Sequence, residues 1–289
     1  MDIRAIIAGL IFAVMWSSAF TSARIIVVDA SPLLALSARY LISGLIGVGI
    51  ALALGQSWRL TPAQWRATII FGILQNAVYL GLNFVAMQTV QASLAAIIAS
   101  TMPLLVGFAT WAFLGERLRP LGIAGLLAGV VGVSIIMGAR LNGGVDLTGV
   151  MLCGFGVLAL TIATLLVRGA TSGGNFVMIV GLQMLVGCVV LALATLLFET
   201  PRFNPTWPLF FAFTYTCLVP GLAATMIWFW LVNRLGATRA ATFHFLNPFF
   251  GVAIASLLLS EPLGTSDILG VLIVTFGILA VQISRQNRT

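Results

Sequence analysis

Apolar residues run along this chain in blocks long enough to cross a bilayer, and polar residues fall mainly in the short gaps between them. Ten such blocks are predicted as helices, at about 3–28, 32–54, 66–87, 92–114, 120–138, 149–167, 175–198, 207–231, 237–259 and 266–284. Each reaches or approaches the roughly 20 residues that a hydrocarbon core about 30 Å thick demands. The gaps carry the punctuation of turns and helix starts, as in Asp29-Ala30-Ser31-Pro32, Thr61-Pro62, Asn142-Gly143-Gly144, Ser172-Gly173-Gly174 and the stretch from Pro201 to Pro208. The first block follows a short charged start. It exceeds the 7–15-residue apolar core of a signal peptide and is expected to stay as the first helix.

Composition agrees with the pattern. Of 289 residues, 61% are hydrophobic and 7% charged, against about 25% charged in a soluble domain. The expected fold class is therefore an all-α integral membrane protein. The net charge of +7 does not point to nucleic acid, because the arginines sit one or two at a time between apolar blocks. All 14 basic residues are arginine, so the lysine a retinal Schiff base requires is absent. Cys153, Cys188 and Cys217 lie singly inside apolar blocks, and with one histidine in the chain no metal site, disulfide framework or cofactor is expected.

Charge placement predicts orientation. With ten helices both termini share a side, and that side carries Arg4, Arg59, Arg66, Arg117, Arg119, Arg168, Arg234, Arg239, Arg285 and Arg288. The other side carries Arg24, Arg140 and Arg202. Ten against three places both termini in the cytoplasm by the positive-inside rule.

The chain also repeats itself. Residues 92–137 align without gaps on 237–282 at an offset of 145, with eleven identities that include Ala92/Ala237, Pro103/Pro248, Glu116/Glu261, Gly125/Gly270 and Gly132/Gly277. The Pro-to-Glu spacing of thirteen recurs in both copies, and upstream Phe84 matches Phe229. The predicted halves are 1–140 and 146–289. Five helices per copy is an odd number, so the second copy must be inverted relative to the first. Inverted repeats are a transporter architecture, in which access to a midplane site alternates between the two sides.

The run Ala13-Val14-Met15-Trp16-Ser17, Pro32 with Arg39, and the two Pro-x12-Glu-x8-Gly units resemble the drug/metabolite transporter superfamily. The similarity is greatest to its ten-helix EamA-type exporters, particularly those of aromatic and other large neutral amino acids. The resemblance implies export of a small molecule through a central cavity, with helices 5 and 10 peripheral, in the plasma (inner) membrane and without cofactor. A monomer is expected, with lipid and a small-molecule substrate as its partners.

Polar groups inside the hydrocarbon must face protein or a water-filled cavity. Gln75, Asn76, Tyr79 and Asn83 form a stripe in the third helix, with 75, 79 and 83 four apart and so on one face. They are candidate substrate-binding residues, with helix–helix bonding as the alternative. Further candidates are Trp16 and Ser17 in the first helix, Gln183 in the seventh, Thr225 and Trp228 in the eighth, and His244 in the ninth. The repeat equates Trp228 with Asn83. Thr21, Thr161 and Thr164 are as readily bonded to their own helix. Trp58, Trp65 and Trp207 fit interface anchors.

Pro103 and Pro248 remove the bonds to the carbonyls of Ala99 and His244 and should kink the fourth and ninth helices. Beside that kink His244 is either a proton carrier or a neutral hydrogen-bonding group, and the neutral role is the expectation. Arg39 lies about 10 Å inside its helix at 1.5 Å per residue. An intramembrane arginine costs about 2.5–3.5 kcal/mol on insertion scales, so Arg39 is expected to snorkel outward or to pair with carbonyls or Asp29, in a structural role rather than a substrate contact. Glu116 and Glu261 are expected at helix ends, in reach of water, tying adjacent helix corners.

No carboxylate is expected deep in the membrane, so the substrate should be neutral or zwitterionic with an apolar or aromatic body. A non-amino-acid exporter for nucleosides or cationic drugs stays open. A membrane enzyme is disfavoured by the missing HExxH motif and the single histidine. A receptor is disfavoured by the inverted repeat, and a channel by the lack of a charged or carbonyl-lined filter segment.

Overall fold

The computed structural model describes residues 3–115, 119–166, 175–235, 240 and 242–286. The described chain is helical, in the order α1 (Ile3–Asp29), α2 (Pro32–Ala53), α3 (Pro62–Ala86), α4 (Ala92–Phe113), α5 (Pro120–Asn142), α6 (Leu147–Leu166), α7 (Phe176–Phe198), α8 (Trp207–Val232), α9 (Asn247–Leu259) and α10 (Thr265–Gln286). Among the described residues nine of these are long and apolar enough to span a membrane, and α9 is shorter. Large apolar side chains stay uncovered, with Phe113, Phe198 and Leu257 each 80% exposed. A soluble protein would bury such side chains, whereas lipid solvates them.

Two boundaries differ from expectation by four residues. α3 starts at Pro62 rather than at 66, because Thr61 forms a capping box with Gln64 and the proline presets the first turn. α5 continues to Asn142 rather than 138, stopping where Gly143 closes the last turn. The expected start of the ninth helix at 237 lies outside the described residues, as does Glu116.

Regular α geometry fails at matched places. α4 is interrupted at Thr101, two residues before Pro103, and α9 is preceded by a 3-10 turn over Thr242–Leu246, two residues before Pro248. The proline kinks expected from sequence are therefore breaks in the ladder. Two π-helical stretches were not foreseen: Gly72–Tyr79 within α3 and Cys217–Ala223 within α8. They begin 145 residues apart, the repeat offset. In α8 Pro220 supplies the cause, since it has no N–H to give the carbonyl four residues back. Such turns concentrate at functional places in helices.

The contacts divide into two compact units, each drawing on both sequence halves: Met1–Thr21, Thr89–Val150 and Ala223–Thr289 in the first, Ser22–Gln88 and Met151–Leu222 in the second. In the first unit α5 crosses α10 through glycines. A Cβ on Gly125 would lie 2.7 Å from the Gly277 carbonyl oxygen, and one on Gly132 would lie 2.8 Å from that of Gly270. The repeat pairs Gly125 with Gly270 and Gly132 with Gly277, so the contacts run crosswise. A crosswise pairing of repeat-equivalent residues is what two antiparallel copies produce, and it shows the inversion directly. In the second unit α2 and α7 are antiparallel, and each helix start is held from the other's end. Glu199, after α7, accepts the Leu33 and Leu34 N–H groups at 2.9 and 3.1 Å, and Gln56, after α2, accepts that of Met178 at 3.0 Å.

Candidate functional site

The candidate residues fall into two groups, one in each unit. In the first unit α1 contributes Phe12, Trp16 and Ser17, α8 contributes Trp228, and the 3-10 turn before α9 contributes His244. Spacing explains the α1 part, since residues 12 and 16 lie one turn apart on one face. The Phe12 ring sits 5.6 Å from that of Trp16, 5.2 Å from Trp228 and 5.1 Å from His244, and His244 is 5.9 Å from Trp16 and 5.1 Å from Trp228. The histidine meets Phe12 and Trp16 edge-on, at interplanar angles of 90° and 86°. These distances are those of favourable aromatic pairs. Phe12 is fully buried, while Trp16, Trp228 and His244 are half-buried and keep an accessible face.

A directed chain of hydrogen bonds fixes the imidazole. The Ser17 hydroxyl donates to Asn247, at 3.5 Å from Oδ1 and 3.3 Å from the backbone oxygen, and Asn247 Nδ2 lies 2.9 Å from His244 Nδ1. With Asn247 Nδ2 facing it, Nδ1 is the accepting nitrogen of the Nε2–H tautomer. Thr225 lies one helical turn before Trp228 and is half-buried.

The second group holds the amides. Asn76 is 2% exposed, and both ends of its amide are used: Nδ2 donates to the Gln183 carbonyl at 2.9 Å and Oδ1 accepts from Tyr40 at 3.3 Å. Its Cβ fits against Gly187, where an added Cβ would approach to 2.5 Å. Asn76 thus joins α3 to α7. Asn83 donates to the Tyr79 carbonyl on its own helix at 2.8 Å, while its buried Oδ1 has no partner. The buried stripe is Asn76, Tyr79 and Asn83. Gln75, its expected first member, is half-buried, because the notch in α7 takes Asn76 instead. Gln183 serves through its backbone carbonyl, and its side chain is half-buried. Thr161 and Thr164 bond back to the carbonyls of Val157 and Leu160.

The helix-end acids depart from expectation. Glu261 is buried, at 8% exposure, and its carboxylate takes the Ala92 and Ser93 N–H groups at 2.8 and 3.0 Å. It holds the start of α4 instead of reaching water at its own corner, since the positive end of a helix is a better partner for a carboxylate than a neighbouring turn. Asp267 pairs with Arg140 at 3.0 Å, and Arg140 also donates to Gln91. Asp146, before α6, accepts from Thr89 at 2.5 Å and from the Thr148 and Gly149 N–H groups at 3.1 Å. The Thr89 hydroxyl, and behind it those two N–H groups, hold its carboxyl below the usual carboxylate range.

Sequence reasoning passed over Phe12, Tyr40 and Asn247. Phe12 precedes Trp16 by one turn and Asn247 follows His244 by three residues, so helical spacing from a chosen candidate finds both. It also passed over a cleft of about 740 Å³ in the second unit, walled in part by Arg24, Val85, Glu199 and Arg202. Its charged groups are engaged: Arg24 donates to the Met87 carbonyl, Arg202 to those of Val27 and Val28, and Glu199 holds α2. Among the described residues no three His, Cys, Asp or Glu side chains gather as a metal site would need.

Comparison with known proteins bears on what such an arrangement serves. The chain is 26% identical over 271 residues to the uncharacterized transporter YvbV of Bacillus subtilis, across 93% of this chain and 88% of that protein. It is 26% identical over 287 residues to the uncharacterized inner membrane transporter YedA of Escherichia coli K12, across 96% and 90%. The aromatic amino acid exporter YddG of Ancylobacter novellus is 30% identical over 112 residues, 39% of each chain. One crystal structure shares the fold at a TM-score of 0.68 and 20% identity over 99% of both chains. The description EamA-like transporter family matches twice, at residues 3–138 and 147–283, on the two halves of the sequence repeat. The chain is a multi-pass membrane transporter, not an enzyme, and belongs to the EamA-like transporter family.

Proposed function

We propose that the protein exports small neutral or zwitterionic metabolites with an aromatic or large apolar body, aromatic and other large neutral amino acids foremost, across the inner membrane. The observation that carries this reading is the aromatic group of Phe12, Trp16, Trp228 and His244, with its Ser17–Asn247 hydrogen bonds. An aromatic side chain gains stacking and edge contacts there that a hydrophilic solute does not. The partial likeness to an aromatic amino acid exporter supports the same class. Transport runs by alternating access, with both termini cytoplasmic as the arginine distribution suggests.

The movement is facilitated diffusion or weakly proton-coupled exchange. Asp29, Asp146, Glu199, Glu261 and Asp267 all hold helix starts, loop groups or an arginine. Uptake of labelled phenylalanine and tryptophan into proteoliposomes, with and without a pH gradient, tests the reading. Saturable uptake that changes little with the gradient is expected. Absence of transport for every large neutral amino acid, or uptake only with a gradient, would overturn the corresponding part.

A further inference from the structure

Arg39 is a buried cation that the described protein does not neutralise. It lies seven residues into α2 at 6% exposure, and its Nε has no hydrogen-bond partner. The guanidinium rests over the Tyr40 ring, 5.2 Å from the centroid. Around it stand Ser43, whose hydroxyl donates to the Cys217 carbonyl at 3.4 Å, and the π-helical stretch of α8. Gly221 brings the α8 backbone beside this group: a Cβ there would come to 3.8 Å from Nη2, 3.4 Å from Ser43 Oγ and 3.0 Å from the Thr216 carbonyl oxygen. The guanidinium donates a hydrogen bond to none of these groups.

The expected partner, Asp29, is occupied elsewhere: it accepts from Asn204 at 3.1 Å and Thr206 at 2.5 Å. Glu199, the other carboxylate in the same unit, holds the start of α2. Arginines placed nearer the helix ends find partners. Arg140 has Asp267, and Arg202 has the carbonyls of Val27 and Val28. A buried charge without hydrogen bonds is among the costliest features a fold can keep, and the planar fork of a guanidinium is matched to a carboxylate.

We infer that Arg39, with Ser43 beside the α8 π-helical stretch, forms within the second unit a binding subsite for the carboxylate of a small organic ligand. The site then selects zwitterionic amino acids and monocarboxylates over amines and amides of the same shape. The inference rests on the reading of the chain as an exporter of such molecules for the identity of the ligand, while the uncompensated charge stands apart from it.

The test is thermal unfolding and ligand titration of the purified full chain with pairs that differ only at the carboxylate: phenylalanine against phenylalaninamide, and 3-phenylpropionate against 3-phenylpropionamide. The carboxylate of at least one pair should bind about 10- to 100-fold more tightly than its amide, as expected for a charge-assisted hydrogen bond. That preference should vanish in Arg39→Gln and persist in part in Arg39→Lys. No preference in either wild-type pair, or an undiminished preference in Arg39→Gln, overturns the inference. Because the pairs are compared first on the wild type, misfolding of a variant does not remove the test. Phosphatidylglycerol nanodiscs form the second arm: stabilisation by that lipid lost in Arg39→Gln would assign the guanidinium to a lipid phosphate and overturn the substrate role. Failure of amino-acid transport alongside a phenylpropionate preference would sink the amino-acid reading and leave the carboxylate subsite standing.

Discussion

The aromatic group of the first unit and the amide group of the other are similar mixtures of polar and aromatic side chains, yet the fold uses them differently. Asn76 spends both ends of its amide within the protein, bonding Tyr40 and the Gln183 carbonyl. His244, by contrast, is fixed through Nδ1 alone, and its neighbours Trp16 and Trp228 keep a face uncovered. Asn76, satisfied at both ends, holds helices together, while His244, and Asn83 through its unpartnered Oδ1, keep bonding capacity for a ligand. On the proposed reading that difference separates the Asn76 joint from the recognition group.

Removing an indole should break the comparison most sharply. Trp228→Ala is expected to raise the KM for aromatic substrates about 10-fold or more, from roughly 1.5 kcal/mol of lost aromatic contact, and also to lower thermal stability, since the indole packs on Phe12 and His244. Asn76→Ala should lower stability alone. It leaves a buried carbonyl and the Tyr40 hydroxyl without their partner, for a loss of about 1–3 kcal/mol in unfolding free energy, and the KM per folded molecule should stay at the wild-type value. A raised KM in Asn76→Ala with intact stability would place recognition among the amides.

Helix starts provide a comparable effect in which the two units should agree. Glu199→Gln and Glu261→Gln each keep the side chain's shape but remove its charge and turn one of its two accepting oxygens into a donor facing an N–H group, so each should cost about 1–3 kcal/mol in a denaturant titration. A far larger loss for one would mark its carboxylate as more than a cap. Smallest of all is Asp146→Asn. The fold depresses the Asp146 carboxyl, so the stabilisation is present above the unfolded pKa of about 3.9 and fades as pH falls through the lower folded value. The difference in melting temperature between wild type and variant should therefore be small at pH 7 and narrow further below about pH 4.

Much of the fold was legible in the sequence because lipid imposes a simple rule: apolar blocks of bilayer length become helices. The repeat was legible because Pro103 and Pro248, and the two glycine pairs, stand at places where sterics allow few substitutes, and the structure puts breaks and helix crossings there. The π-helical turns were hidden, since nothing in Gly72–Tyr79 departs from helix-forming sequence and Pro220 alone hints at the second. Trp16, Ser17, Trp228 and His244 could be picked as polar or aromatic residues within membrane blocks, but no spacing rule joins residue 16 to 244. Gln75 misled because helical periodicity places a residue on a face without saying which neighbour has the notch. Glu261 misled because a carboxylate at a helix end was read against its own corner, while the unpaired N–H groups it serves belong to a helix start 169 residues away.

The central claim, that the aromatic group receives the body of the substrate, is most directly tested by photolabelling. A diazirine analogue of phenylalanine, irradiated with the reconstituted full chain and mapped by mass spectrometry, should label peptides containing Phe12, Trp16, Trp228 or Asn247, and excess unlabelled phenylalanine should suppress that labelling. Competable labelling confined to peptides around Asn76 and Asn83, or labelling that excess phenylalanine does not suppress, would contradict the account.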